Sequence, residues 1–84
     1  MREVGCVGSP PHVTRLKVER NYLRSVIRRT PADQAGELQL EYAEKCEALG
    51  HWYRQQGCET PAKCEFGEAS QARRNAALNY DYIR

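Results

Sequence analysis

The chain has 84 residues, of which 13 are basic and 11 acidic, with a formal net charge of +2 and an apolar fraction of 40%. That length allows one domain with one modest core, which gains from a metal, a disulfide or a partner chain. Near-balanced charge gives no bulk drive toward nucleic acid or membrane, and no apolar run approaches the roughly 18 residues of a membrane span.

Residues 1–12, MREVGCVGSPPH, contain no apolar stretch of signal-peptide length. The expectation is therefore a cytoplasmic chain whose four cysteines are reduced thiols. Gly5, Gly8, Ser9, Pro10 and Pro11 predict a flexible arm over residues 1–12, with a short edge strand at Val4–Val7 as the alternative. The Pro-Pro pair marks the boundary, because the residue before a proline is pushed out of the helical region. Residues 13–84 then form a single helical domain.

Residues 13–29, VTRLKVERNYLRSVIRR, carry two patterns. Leu16 and Val18 alternate with Arg15, Lys17 and Glu19 as in a strand, whereas Leu16, Leu23, Val26 and Ile27 with Tyr22 fit a helix face. The helix is favoured, from about Thr14 to Arg29. Its exposed face would hold Arg15, Lys17, Arg20, Arg24, Arg28 and Arg29, six cations against the one carboxylate Glu19. Arg28 and Arg29 also suit the last turn, where the helix dipole favours cations.

Thr30 and Pro31 read as the N-cap and first residue of a central helix, with Asp33 completing an approximate capping box. Ala35, Leu38, Tyr42, Cys46, Leu49 and Tyr53 recur at steps of three and four and predict its buried face. Gly57 follows as a left-handed C-terminal cap. Gly36 costs the helix roughly 1 kcal/mol relative to alanine unless it admits a close neighbour. Glu37, Glu41, Glu44 and Glu47 line the polar side at a spacing that would meet the arginines of the first helix. The short connection makes the first two helices adjacent and antiparallel.

Thr60-Pro61 repeats the start signal, so a third helix begins at Pro61, or else after Gly67 at Glu68. Phe66, Ala69, Ala72, Ala76, Tyr80 and Ile83 form an alanine-rich face that can lie close to the central helix, with Arg73 and Arg74 pointing away. The fold class is thus all-α: a three-helix antiparallel bundle, or a helical hairpin preceded by a short helix.

Cys46, His51, Cys58 and Cys64 raise a zinc site, but no CxxC pair exists and Cys46 and His51 lie about 140° apart around a helix. The alternative reading makes Cys46 core, His51 exposed and the turn cysteines small fillers. A Cys58–Cys64 or Cys46–Cys58 disulfide would require an oxidising compartment. His12 and His51 are the only histidines, none is placed to activate a thiol, and no Gly-rich phosphate loop occurs, so no enzyme is expected. Trp52 beside Arg54 resembles a protein-binding hot spot, and Tyr82 offers a second aromatic anchor. With Arg24, Arg28, Arg73 and Arg74 they are the candidate partner-binding residues, suited to a protein with an acidic surface. A nucleic-acid module using Arg20, Arg24, Arg28, Arg29, Arg73 and Arg74 is the alternative, and self-association as a homodimer suits so small a core.

The segment A-E-K-C-E-A-L-G-H-W, with Ala43, Glu47, Gly50 and Trp52, and the later Q-A-R-R-N, with Arg73 and Arg74, cover about a third of the chain. These residues resemble the small helical transcription regulators of the PerC and AraC-negative-regulator type. Cys46 stands where those proteins carry leucine, Gln55 and Gln56 replace paired alanines, and their late cysteine is missing. The resemblance implies a regulator acting by contact with another regulatory protein or the transcription machinery. Size and the lack of a catalytic motif equally suit a small mobile-element inhibitor of a host complex, of the anti-CRISPR kind.

Overall fold

A computed structural model describes the backbone of residues 9–83 and the side chains of residues 9–78. Three helices follow in order: α1 (Pro11–Arg29), α2 (Gly36–Gln55) and α3 (Glu59–Ile83), with a 3-10 turn at Ala32–Gln34 between the first two. No strand occurs among the described residues; the alternative strand at Val4–Val7 lies outside them. No helix there is long and apolar enough to cross a membrane.

α1 begins three residues before the expected Thr14, so Pro11 and His12 belong to the helix rather than to the arm. Pro10 is the N-cap, in extended geometry, and its carbonyl accepts the N–H groups of Val13 and Thr14 at 3.0 Å each. Pro11 occupies the first helical position, where a missing N–H costs nothing.

The expected capping box of α2 does not form. The Thr30 hydroxyl turns back to donate to the Val26 carbonyl at 2.7 Å, and the Thr30 N–H donates to Ile27 at 3.1 Å. Thr30 therefore closes α1, and α2 starts six residues later at Gly36, with Ala35 as an N-cap that offers no side-chain acceptor. The other end of α2 is as expected. Gly57 has φ 79°, its N–H donates to Arg54 O at 3.0 Å, and Cys58 N–H donates to Tyr53 O at 2.9 Å. These two bonds make the Schellman pattern that ends a helix on a left-handed glycine. α3 then starts at Glu59, with the Cys58 carbonyl accepting the Ala62 N–H at 3.2 Å. Pro61 sits inside the first turn of α3, where its absent N–H has no intrahelical partner to lose.

Pairings between side chains fix the helix directions. Glu19 meets Lys45 and Arg24 meets Tyr42, so α1 and α2 run antiparallel; Arg20 meets Glu65 and Arg24 lies near Glu68, so α1 and α3 run parallel. α2 is the middle helix. Its buried residues Tyr42, Cys46 and Leu49 follow the expected face, while Tyr53 at its end is only half-buried. α3 contributes Ala62, Ala69, Ala72 and Ala76, all buried, and these small side chains let it lie close to α2. At Gly50 the approach is closest: a Cβ there would stand 2.9 Å from Phe66 Cζ. Val13 and Leu23 anchor α1, each contributing on the order of 1.5–3 kcal/mol by burial. Tyr22 departs from the expected face of α1, being 66% exposed.

Candidate functional site

Two polar rungs tie the walls of the bundle together across α2. On one rung Arg20 of α1 pairs with Glu65 of α3, directly beside Cys46 of α2. On the next, Arg24 donates to the Tyr42 hydroxyl through Nε and Nη2 at 3.1 and 2.9 Å, and that hydroxyl donates to Glu68 at 2.9 Å. The spacing explains the repeat: residues 20 and 24, 42 and 46, and 65 and 68 are three or four apart, so each pair shares a helix face.

Burial tunes the groups along these rungs. The Cys46 thiol, fully buried, is pushed up to about 11 by desolvation and then by the negative charge of Glu65. It is therefore a protonated, inert thiol at neutral pH. The Tyr42 phenol is pushed up to about 12, first by burial, with Arg24 opposing the shift and Glu68 adding to it. Arg24 is raised above its ordinary value, chiefly by its hydrogen bond to Tyr42. Glu65 is 9% exposed, and only one of its oxygens is answered by Arg20; among the described residues Oε1 has no hydrogen-bond partner.

Beyond the second rung the walls part. A cavity of about 360 Å³ opens there, lined by Arg24, Ile27 and Arg28 of α1, Gln39 and Tyr42 of α2, and Glu68, Gln71, Ala72 and Asn75 of α3. An adjoining one of about 320 Å³ continues past Thr30 and Ala35 to Leu78. Ile27, Gln39 and Asn75 line both, so the two form one groove floored by α2. Its apolar strip is Ile27, Ala72, Ala35 and Leu78, Leu78 being 65% exposed. Its amides are Gln39, Gln71 and Asn75, and Arg28 on its rim is exposed with no ion pair among the described residues.

The candidate binding residues fall in separate places. Arg24 and Arg28 line the groove, and Arg74 reaches its edge by donating to Gln71 Oε1 at 3.0 Å. Arg73 is engaged elsewhere, in a two-bond pair with Glu47 at 2.6 and 3.1 Å. Trp52 and Arg54 sit at the far end of α2. There Trp52 is half-buried and edge-on to Tyr53 at 5.3 Å, while Arg54 lies 4.8 Å over the Phe66 ring. Tyr82 lies in the last turn of α3, outside the described side chains.

The glutamates of α2 do not meet the arginines of α1. Glu47 turns to α3, and Glu37, Glu41 and Glu44 are exposed and unpaired among the described residues. The single α1–α2 ion pair among those residues has the reverse polarity, Glu19 with Lys45 at 3.2 Å. On α1, Arg20 and Lys17 are half-buried instead of exposed: Arg20 is held by Glu65, and Lys17 donates to Ser9 at 2.7 Å.

The four-residue zinc set is dispersed. Cys46 is buried, Cys64 is an exposed free thiol, and His51 stacks edge-on against Phe66 at 5.0 Å. Cys58 is disulfide-bonded, which corrects the expectation of four reduced thiols; neither Cys46 nor Cys64 is its partner, since both are free. Among the described residues no group of three or more His, Cys, Asp or Glu side chains is placed to hold a metal ion.

Sequence reasoning missed Glu65. Its signal was present, because residues 65, 69, 72 and 76 continue one three-and-four spacing, and a carboxylate in register with buried alanines requires a cation. Set against known proteins, the chain matches no family model, no curated protein and no solved structure.

Proposed function

We propose that this protein is a non-enzymatic helical binding module that acts by contact with another protein, and that the groove between α1 and α3 receives an acidic segment of that partner. The observation that carries this reading is the groove itself. It combines an aliphatic strip, three amides, of which Gln71 and Asn75 bond each other at 3.1 Å and keep further donors and acceptors, and the cation Arg28 at the rim, which has no ion pair among the described residues. Arg24, already held by Tyr42, would present its remaining donors without a large loss of side-chain freedom. A transcription-regulator-like adaptor, as the PerC-type resemblance implies, and a mobile-element inhibitor of a host complex both work through such a contact. In either case Trp52 and Arg54 form a separate end of the molecule rather than the centre of the site.

Affinity purification from the native host with wild-type protein, Arg28→Glu and a Lys63→Glu control tests the reading. Loss of the same captured protein from Arg28→Glu alone supports it; equal capture by all three removes the groove from the function. Nucleic-acid binding is the second reading, favoured by Arg15, Arg28, Arg29 and Arg74, which have no ion pair among the described residues. Against it, Arg20 and Arg73 are committed to carboxylates and Arg24 lies 4.0 Å from another. It requires duplex or single-strand binding that weakens steeply with salt.

A further inference from the structure

The outward stripe of α1 and the outward stripe of α2 are both exposed, and they carry complementary chemistry. On α1 the stripe runs Arg15, Val18, Tyr22, Ser25, Arg29, with Val18 62% and Tyr22 66% exposed. Neither Arg15 nor Arg29 has an ion pair among the described residues. On α2 the stripe runs Glu37, Glu41, Glu44, Ala48, His51, and its three carboxylates are likewise unpaired there. Large exposed apolar side chains between unanswered cations, and an unanswered acidic face on the neighbouring helix, are what a helix–helix contact between chains would use.

We propose that these two stripes bind each other between copies of this chain, α1 of one copy lying antiparallel on α2 of the next. The spacings coincide. Descending α1 from Arg29 the steps are four, three, four and three, and ascending α2 from Glu37 they are the same. In this register Arg29 meets Glu37, the Ser25 hydroxyl meets Glu41, the Tyr22 hydroxyl donates to Glu44, Val18 covers Ala48 and Arg15 meets the His51 ring. A parallel arrangement sets Val18 against Glu41, and two α1 stripes laid antiparallel set Arg15 against Arg29, so both are disfavoured. The contact uses neither Arg24 nor Arg28 and is independent of the groove.

Sedimentation velocity at low salt, with circular dichroism to confirm helicity, tests the contact in three samples. Glu37→Lys/Glu41→Lys/Glu44→Lys has two basic stripes, Arg15→Glu/Arg29→Glu has two acidic ones, and the third sample is their mixture. The wild type associates, each variant alone is at least about tenfold weaker, and the mixture associates again, because each stripe then finds one of opposite net charge on the other variant. A monomeric wild type, variants that associate as it does, or a mixture that stays monomeric overturns the proposal. If a variant loses its helical signal, the wild type decides. Its association must weaken as salt is raised from about 50 mM to about 500 mM, over which screening shortens severalfold, and salt-independent association overturns the proposal.

Discussion

At the scale of single residues, Glu65 is the position on which the bundle is most exposed to change. A carboxylate 9% exposed, with one oxygen held by Arg20 and the other without a hydrogen-bond partner among the described residues, is tolerable only while the guanidinium is present. Replacing Arg20 by methionine should therefore cost about 2–4 kcal/mol, somewhat below a fully buried pair because both side chains retain some exposure. The double variant Arg20→Met/Glu65→Leu should recover to within about 1 kcal/mol of wild type, since no charge is then left buried. Urea unfolding of the three proteins measures both numbers, and a double variant as unstable as Arg20→Met would contradict the argument. The neighbouring thiol and phenol set a pH limit. Cys46 and Tyr42 are raised from 9.0 and 10.0 to about 11 and about 12, so the folded chain holds protons that the unfolded chain releases. Their stabilisation is complete below pH 9 and is lost as pH rises to 11 for Cys46 and to 12 for Tyr42. Unfolding midpoints followed from pH 8 to pH 11 should fall from about pH 9, and Cys46→Ala should flatten the first part of that fall.

At the scale of elements, the ends of the helices differ in how far the sequence reveals them. The α2 C-terminus was legible because a left-handed glycine after the last periodic residue has one good physical reading, and Gly57 has it. Gly57→Ala should cost about 1 kcal/mol, measurable as a lowered melting temperature, because a Cβ is strained at φ 79°. At Gly50 a new methyl would stand 2.9 Å from Phe66 Cζ, so Gly50→Ala must displace the Phe66 ring from its place against His51 and Arg54. The α2 N-terminus was not legible. A threonine before proline can cap the next helix or bond back to the last one, and Thr30 chooses Val26. The buried stripe of α2, and that of α3 through Ala69, Ala72 and Ala76, could be read from their spacing, whereas Phe66 is half-buried and Tyr80 and Ile83 lie outside the described side chains. The outward turn of Tyr22 could not be read, because a broad apolar stripe does not say which of its edges is covered. The groove escaped for a related reason: it arises from the parting of α1 and α3 beyond the second rung, a relation between distant segments that no local pattern encodes.

At the scale of the whole molecule, α2 is a floor and the parallel helices α1 and α3 are its walls. Arginine–carboxylate rungs hold the walls where the chain is closed, and the groove lies where they part. The arginines that looked like one basic face are divided by this arrangement: Arg20 and Arg73 are paired with carboxylates, Arg24 is bonded to Tyr42 and lines the groove, and Arg28 lines the groove with no ion pair among the described residues. A functional contact at the groove should therefore depend on Arg28 more than on Arg73, although both carry the same charge. The most direct measurement is an NMR titration of isotope-labelled protein with a peptide selected on it from a phage-displayed library. The selected peptide should be acidic and aliphatic, its binding should shift the amide signals of Ile27, Gln39, Gln71 and Asn75, and Arg28→Glu should weaken it at least about tenfold. Shifts centred on Trp52 and Arg54, or a peptide that binds Arg28→Glu as tightly as wild type, would contradict it.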